Sequence, residues 1–114
     1  MSNAAELPIE TDVIAVSALQ KREEPFLLLD VREQDEYAVA NIVGSLLIPM
    51  SELQQRVGEL EPHRDDRIVV HCHHGVRSLR VAHALRGSGF SRVQSMAGGI
   101  DLWSQQIDAS VPRY

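Results

Sequence analysis

The sole sulfhydryl of the chain lies in the stretch Val69-Val70-His71-Cys72-His73-His74-Gly75-Val76-Arg77-Ser78. A β-branched run precedes Cys72, and a glycine, an arginine and a helix-forming segment follow it. That order predicts a strand, a tight loop and a helix. A loop entering a helix presents backbone N–H groups that have no partner of their own. Curved around one point, such groups form an anion nest. Gly75 can take the backbone conformation this turn requires, and Arg77 adds a permanent positive charge. A thiolate at the centre is the form the nest stabilises. The prediction is a nucleophilic Cys72, with its anion or an attached negative group cradled by the loop His73, His74, Gly75, Val76, Arg77 and Ser78.

Three other readings compete. A lone cysteine also serves as a small apolar filler of cores; the position of Cys72 at a strand end, before glycine and arginine, argues against this. A metal site built from His71, Cys72, His73 and His74 meets a geometric objection, because consecutive strand residues point to opposite faces. No second ligand cluster stands at zinc-like spacing, and no metal is expected. Cysteine-based phosphatases also place a cysteine and an arginine at the two ends of such a turn, with five residues between them. Here four intervene, His73 to Val76. The shorter loop makes a smaller ring, better suited to one sulfur atom than to a tetrahedral phosphate.

The elements that must position this loop alternate along the chain. Strands are predicted over residues 11–15, 26–31, 46–48, 68–71 and 92–96, and helices over 17–23, from about 33, 51–60, 78–88 and 99–106. Ser17 with Gln20 and Ser51 with Gln54 have capping-box spacing. Glu33, Asp35 and Glu36 crowd a first helical turn, where the helix dipole favours negative charge. Phe26-Leu27-Leu28-Leu29 is a continuous apolar run, as in a strand buried on both faces. The β-α order predicts an α/β protein: a parallel sheet with helices on both sides. Strand order is not readable from it. Ligands of such folds bind beyond the carboxyl ends of the strands, where Cys72 falls. Asp30 and Arg32 follow the second strand on that same side, and a salt bridge or cap bracing the loop is favoured over a catalytic role for them. His71 reads as a packed strand-end residue. His74 is either a donor to substrate or a solvent-facing loop residue. Gly98-Gly99 reads as a tight turn that brings backbone close to the loop.

Composition sets the outer bounds. The chain has 114 residues, 44% of them hydrophobic and 24% charged, enough for one domain with its own core. One cysteine cannot form an internal disulfide. The net charge of −5, with scattered basic residues, argues against nucleic acid as a partner. No apolar run approaches membrane-spanning length, and the start lacks the regions of a signal peptide, so the cytoplasm is the default expectation. Residues 1–8 read as a flexible tail and 9–114 as the folded domain.

From about Ile9 to Trp103, the chain resembles a single-domain rhodanese, a sulfurtransferase. The resemblance rests on Leu28-Leu29-Asp30-Val31-Arg32-Glu33, Glu36-Tyr37, Ile42-Val43-Gly44-Ser45 with Ile48-Pro49, the Cys72 to Ser78 loop, Gly89-Phe90, and Met96-Ala97-Gly98-Gly99-Ile100 ending at Trp103. It implies a three-layer α/β/α domain on a central, mostly parallel sheet of about five strands. It also implies a sulfur relay: Cys72 takes sulfur from a small donor, thiosulfate or a persulfide, and passes it to a thiophilic acceptor such as cyanide, a thiol or a protein cysteine. No cofactor is implied. Many thiosulfate-using members carry a cationic residue directly after the cysteine. Here that residue is His73, which implies weak use of thiosulfate or a preference for persulfide donors. A non-catalytic, partner-binding module of the same fold is the alternative, followed by a small phosphatase or arsenate reductase.

Overall fold

Five parallel strands carry the chain in the computed structural model, which describes residues 7–114. They are β1 (Glu10–Thr11), β2 (Leu27–Asp30), β3 (Leu46–Leu47), β4 (Ile68–His71) and β5 (Val93–Met96), in the spatial order β1-β5-β4-β2-β3. Every neighbouring pair is parallel. β4 therefore runs down the middle of the sheet, and the residue that follows it, Cys72, emerges at the centre of the carboxyl edge. The register sets Asp30 beside His71 and Ser95 beside Val70.

Helices α1 (Val13–Lys21) and α5 (Gly99–Gln106) cover one face, where Val13, Val16, Ile100 and Trp103 pack on Leu28 and Val69. The short α3 (Leu53–Arg56) and the longer α4 (Val76–Gly87) cover the other, where Val81, Ala82 and Leu85 pack on Leu29, Ile68 and Val70. The alternation along β4 explains this division: Ile68, Val70 and Cys72 face α4, and Val69 faces α1 and α5. The result is the three-layer α/β/α architecture expected from the sequence, with an all-parallel sheet.

Two helix starts differ from expectation. Residues 13–15 belong to α1 and not to a strand; Asp12 caps the helix, its carboxylate accepting from the Ala15 N–H at 2.8 Å. The cap and the burial of Val13, Val16 and Leu19 along one helical stripe outweigh the β-branched propensity of the segment, and Ser17 is buried inside the helix. Ser51 is not a cap either. Its hydroxyl donates to Glu33 Oε1 at 2.8 Å, and the chain winds through 3-10 turns (Met50–Glu52 and Val57–His63) on either side of α3. The stripe of Leu53, Val57 and Leu60 still meets the core. Helix α2 (Gln34–Val39) starts where the acidic cluster placed it, with the Glu36 carboxylate accepting from the Glu33 N–H at 3.0 Å.

Residues 1–6 of the expected tail lie outside the described residues. The carbonyls of Leu7 and Pro8 accept from the Arg86 guanidinium at 2.6 and 3.2 Å. Among the described residues, no helix is long and apolar enough to cross a membrane.

Candidate active site

The loop between β4 and α4 closes around the sulfur of Cys72. The Gly75 N–H donates to Sγ at 3.1 Å and the Ser78 N–H at 3.3 Å. Ser78 Oγ lies 3.4 Å from Sγ and is itself held by Ser95 Oγ at 2.8 Å. Both amides are free for this role because α4 begins at Val76, so neither has an acceptor one turn back. The side chain of Cys72 is 1% exposed and also touches the α4-face core. It is thus both packed and cradled; the amides turn towards the sulfur and not away from it.

Main-chain carbonyls of the loop point elsewhere, and α5 is the reason. The N–H of Ile100 donates to Cys72 O at 2.9 Å, and that of Asp101 to His73 O at 3.1 Å. Binding these carbonyls leaves the amide side of the loop facing the sulfur. The contact demands glycine at 99: a Cβ there would collide with the His73 and Cys72 carbonyl oxygens, and φ is +59°. Gly75 has φ +107°, and a Cβ on it would meet Gly98 N at 3.2 Å. The reading of Gly98-Gly99 as a close-approach turn therefore matches the geometry.

Asp30 and Arg32 form a fully buried ion pair behind the loop. Arg32 Nη2 donates to Asp30 Oδ2 at 2.7 Å and Nε to Oδ1 at 3.0 Å. The remaining donors reach Ala40 O at 2.7 Å, Glu36 O at 3.3 Å and the Tyr114 hydroxyl at 2.9 Å, which occupies the full donor set of a guanidinium. This satisfaction is what makes a buried charge pair tolerable. The pair ties β2 to the α2 region and does not reach Sγ. His71 lies beside it, fully buried, with Nε2 3.7 Å from Asp30 and no hydrogen bond at either ring nitrogen. Burial pushes its pKa down to about 4, against the opposing pull of Asp30.

Arg77 does not point into the cradle. Its Nη1 and Nη2 donate to the two Glu36 oxygens at 2.7 and 2.9 Å. This bidentate pair holds the Glu36 carboxyl down to about 2; burial pulls the other way, and the Glu33 N–H and Tyr114 hydroxyl reinforce the lowering. The same carboxylate accepts from the Tyr114 hydroxyl at 2.9 Å. The Tyr114 ring stacks on His73 with centroids 4.0 Å apart and planes 8° from parallel. His73 is held below the ordinary histidine pKa by burial first and by neighbouring His74 second. His74 is exposed, with Nδ1 3.9 Å from Asp101. Val76 is exposed beside the loop. With Gly75, Leu79, Arg80 and Glu10 it lines a groove of about 610 Å³ along the outer side of the loop.

Of the loop residues identified from sequence, Gly75 and Ser78 turn donors to the sulfur of Cys72, Arg77 turns to Glu36, and His74 and Val76 face solvent, with Asp30 and Arg32 behind the loop. Three neighbours were not legible. Ser95 comes from β5 and reaches the site through the sheet order. Glu36 was read as a helix-dipole residue; its pairing with Arg77 spans 41 positions. Tyr114 lies beyond the last helix and carries no local signal.

A parallel sheet between helical layers, with one thiol held under a glycine- and arginine-containing loop at the end of the central strand, defines a rhodanese-type α/β domain. The model of the family described as "Rhodanese-like domain" matches residues 14–106, and the chain belongs to that family. Over 96 residues it is 35% identical to the protein of Zea mays named adenylyltransferase and sulfurtransferase MOCS3-2, covering 80% of this chain and 20% of that one. Over 82 residues it is 32% identical to the thiosulfate sulfurtransferase GlpE of Coxiella burnetii, covering 72% of this chain and 75% of the relative. The crystal structure of a thiosulfate sulfurtransferase from Pseudomonas aeruginosa superimposes with a TM-score of 0.76 at 28% identity, over 91% of this chain and 20% of that one. Several curated relatives are longer: the chain spans 20%, 64% and 56% of three of them.

Proposed function

We propose that the chain is a sulfurtransferase that carries sulfur as a persulfide on Cys72. The observation that supports this most directly is the pair of amides, Gly75 and Ser78, aimed at Sγ. In the first step the Cys72 thiolate attacks the outer sulfur of the donor. A new S–S bond forms to Cys72 while the donor's S–S bond breaks. The leaving group keeps that electron pair and departs as sulfite from thiosulfate, or from a persulfide as a thiolate that takes up the proton released by the transferred sulfur. In the second step a thiophilic acceptor attacks the terminal sulfur and restores the thiolate; cyanide leaves as thiocyanate. This is two-step nucleophilic catalysis with ping-pong kinetics. The amides that hold the thiolate, together with the unpaired Val76 and Arg77 N–H groups of the first turn of α4, stabilise the negative terminal sulfur. The reaction itself calls for no cofactor or metal.

Each remaining residue has a role in this reading. Asp30 and Arg32 brace the floor of the site. Arg77 positions the loop through Glu36 and does not bind substrate, which also disfavours phosphate as the ligand. A neutral His73 leaves no cation after the cysteine, so persulfide donors are favoured over the thiosulfate dianion. The chemistry of the acceptor is that of a small nucleophile or a protein thiol.

The test is intact mass after incubation with glutathione persulfide or thiosulfate. The expected result is a gain of about 32 Da that cyanide removes and that Cys72→Ser does not show. Turnover of an aryl phosphate in its place would establish phosphatase chemistry. Inertness to both would leave a partner-binding module.

A further inference from the structure

We propose that Tyr114 determines the size of the sulfur donor that reaches Cys72, by walling the mouth of the site over His73. This deepens the sulfurtransferase reading and rests on it. His73 directly follows Cys72 and belongs to the loop that forms the cradle. The Tyr114 ring lies flat against it at 4.0 Å, and His73 Nε2 is shielded from solvent with no hydrogen-bond partner. The loop alone would leave that side open; a phenol from beyond α5 covers it.

The wall is fixed in place. The Tyr114 hydroxyl accepts from Arg32 Nη1 at 2.9 Å and donates to Glu36 Oε2 at 2.9 Å. It thereby links the buried Asp30–Arg32 pair to the Glu36–Arg77 pair, and charge-assisted bonds at both of its contacts hold the ring in one orientation. The segment leading to it is anchored twice: buried Ser104 Oγ donates to Val111 O, and Arg113 Nε donates to Asp101 Oδ1 at 2.9 Å. The Arg32 guanidinium lies 5.6 Å from the ring centroid, a further attraction. A small persulfide passes such a wall. A donor with bulk on the inner sulfur meets the phenol before its outer sulfur reaches Cys72.

Cysteine persulfide and glutathione persulfide test this, since they share the reacting S–S bond and differ in bulk. The quantity to compare is the ratio of kcat/KM for the glutathione donor to that for the cysteine donor, with cyanide as acceptor. Tyr114→Ala should raise this ratio about tenfold through a lower KM for the bulky donor, and Tyr114→Trp should lower it. Tyr114 is 41% exposed, so neither change empties a core position; both remove the hydroxyl that Arg32 and Glu36 share, a common loss that cancels in the ratio of the two donors. A ratio within about twofold of wild type in both variants overturns the proposal, as does an equal slowing of the two donors, the mark of a purely structural residue. Absence of a Cys72 persulfide from either donor in the unmodified protein is a different failure: it removes the sulfurtransferase reading, and the wall with it.

Discussion

Replacing Glu36 with glutamine removes one charge and keeps the shape of the group that holds Arg77. The carboxyl falls from an ordinary 4.5 to about 2, chiefly through the Arg77 pair. That lowering corresponds to a ceiling of ~3.4 kcal/mol. The pair is partly open to water, with the Glu36 and Arg77 side chains 20% and 33% exposed, so screening brings the expected loss to about 1–2 kcal/mol at pH 7. Because the folded carboxyl has the lower pKa, its stabilisation is complete above the unfolded value of 4.5 and disappears as pH falls towards 2. The assay is urea unfolding of wild type and Glu36→Gln from pH 7 to pH 3. Their difference should be flat down to about pH 5.5 and halved by about pH 3.3. A difference that stays constant across the whole range would refute the ion-pair reasoning and leave only hydrogen bonding or packing at that position.

His71 should produce a separate acid sensitivity at higher pH. It folds neutral, with a pKa near 4 against an ordinary 6.5, so its contribution is intact above 6.5 and lost as pH falls through 4. Wild type should lose about 2 kcal/mol between pH 7 and pH 4.5 from this group alone; His71→Leu, which removes the titrating ring, should flatten that part of the urea-unfolding profile. Gly99→Ala places a methyl group on the carbonyls that α5 holds and forces a left-handed conformation on alanine. A cost of about 2–4 kcal/mol is expected in thermal or urea unfolding, with slower persulfide formation in the fraction that stays folded.

The interior and the cysteine loop were legible because both are local. The apolar run Leu27–Asp30 and the run Ile68–His71 needed no distant partner to be read as strands. The loop after β4 declared itself through residue types within seven positions of one another, Cys72 to Ser78. α5 matched its expected bounds, since Gly99 and the Ile100, Trp103 spacing sit inside the segment itself. Two local signals were overruled by burial and by distant contacts. At residues 13–15 branched side chains suggested a strand, but they open α1 behind an Asp12 cap, and burial of the helical stripe decided for the helix. At Ser51 the capping spacing was real, but the hydroxyl found Glu33, a contact closed by the fold.

Sequence by itself determined the alternation of strands and helices, the three layers, and the place of the sulfur at a strand end before a glycine turn. These follow from periodicity and turn chemistry, which act over a few residues. Tertiary structure alone decided the order β1-β5-β4-β2-β3, which puts Cys72 at mid-sheet and brings Ser95 to its loop. It also decided that Arg77 answers Glu36 and that Tyr114 covers His73. Those partners lie far apart along the chain. Their attraction exists only once the hydrophobic core has fixed the helices and the loop in space, and no local pattern encodes it.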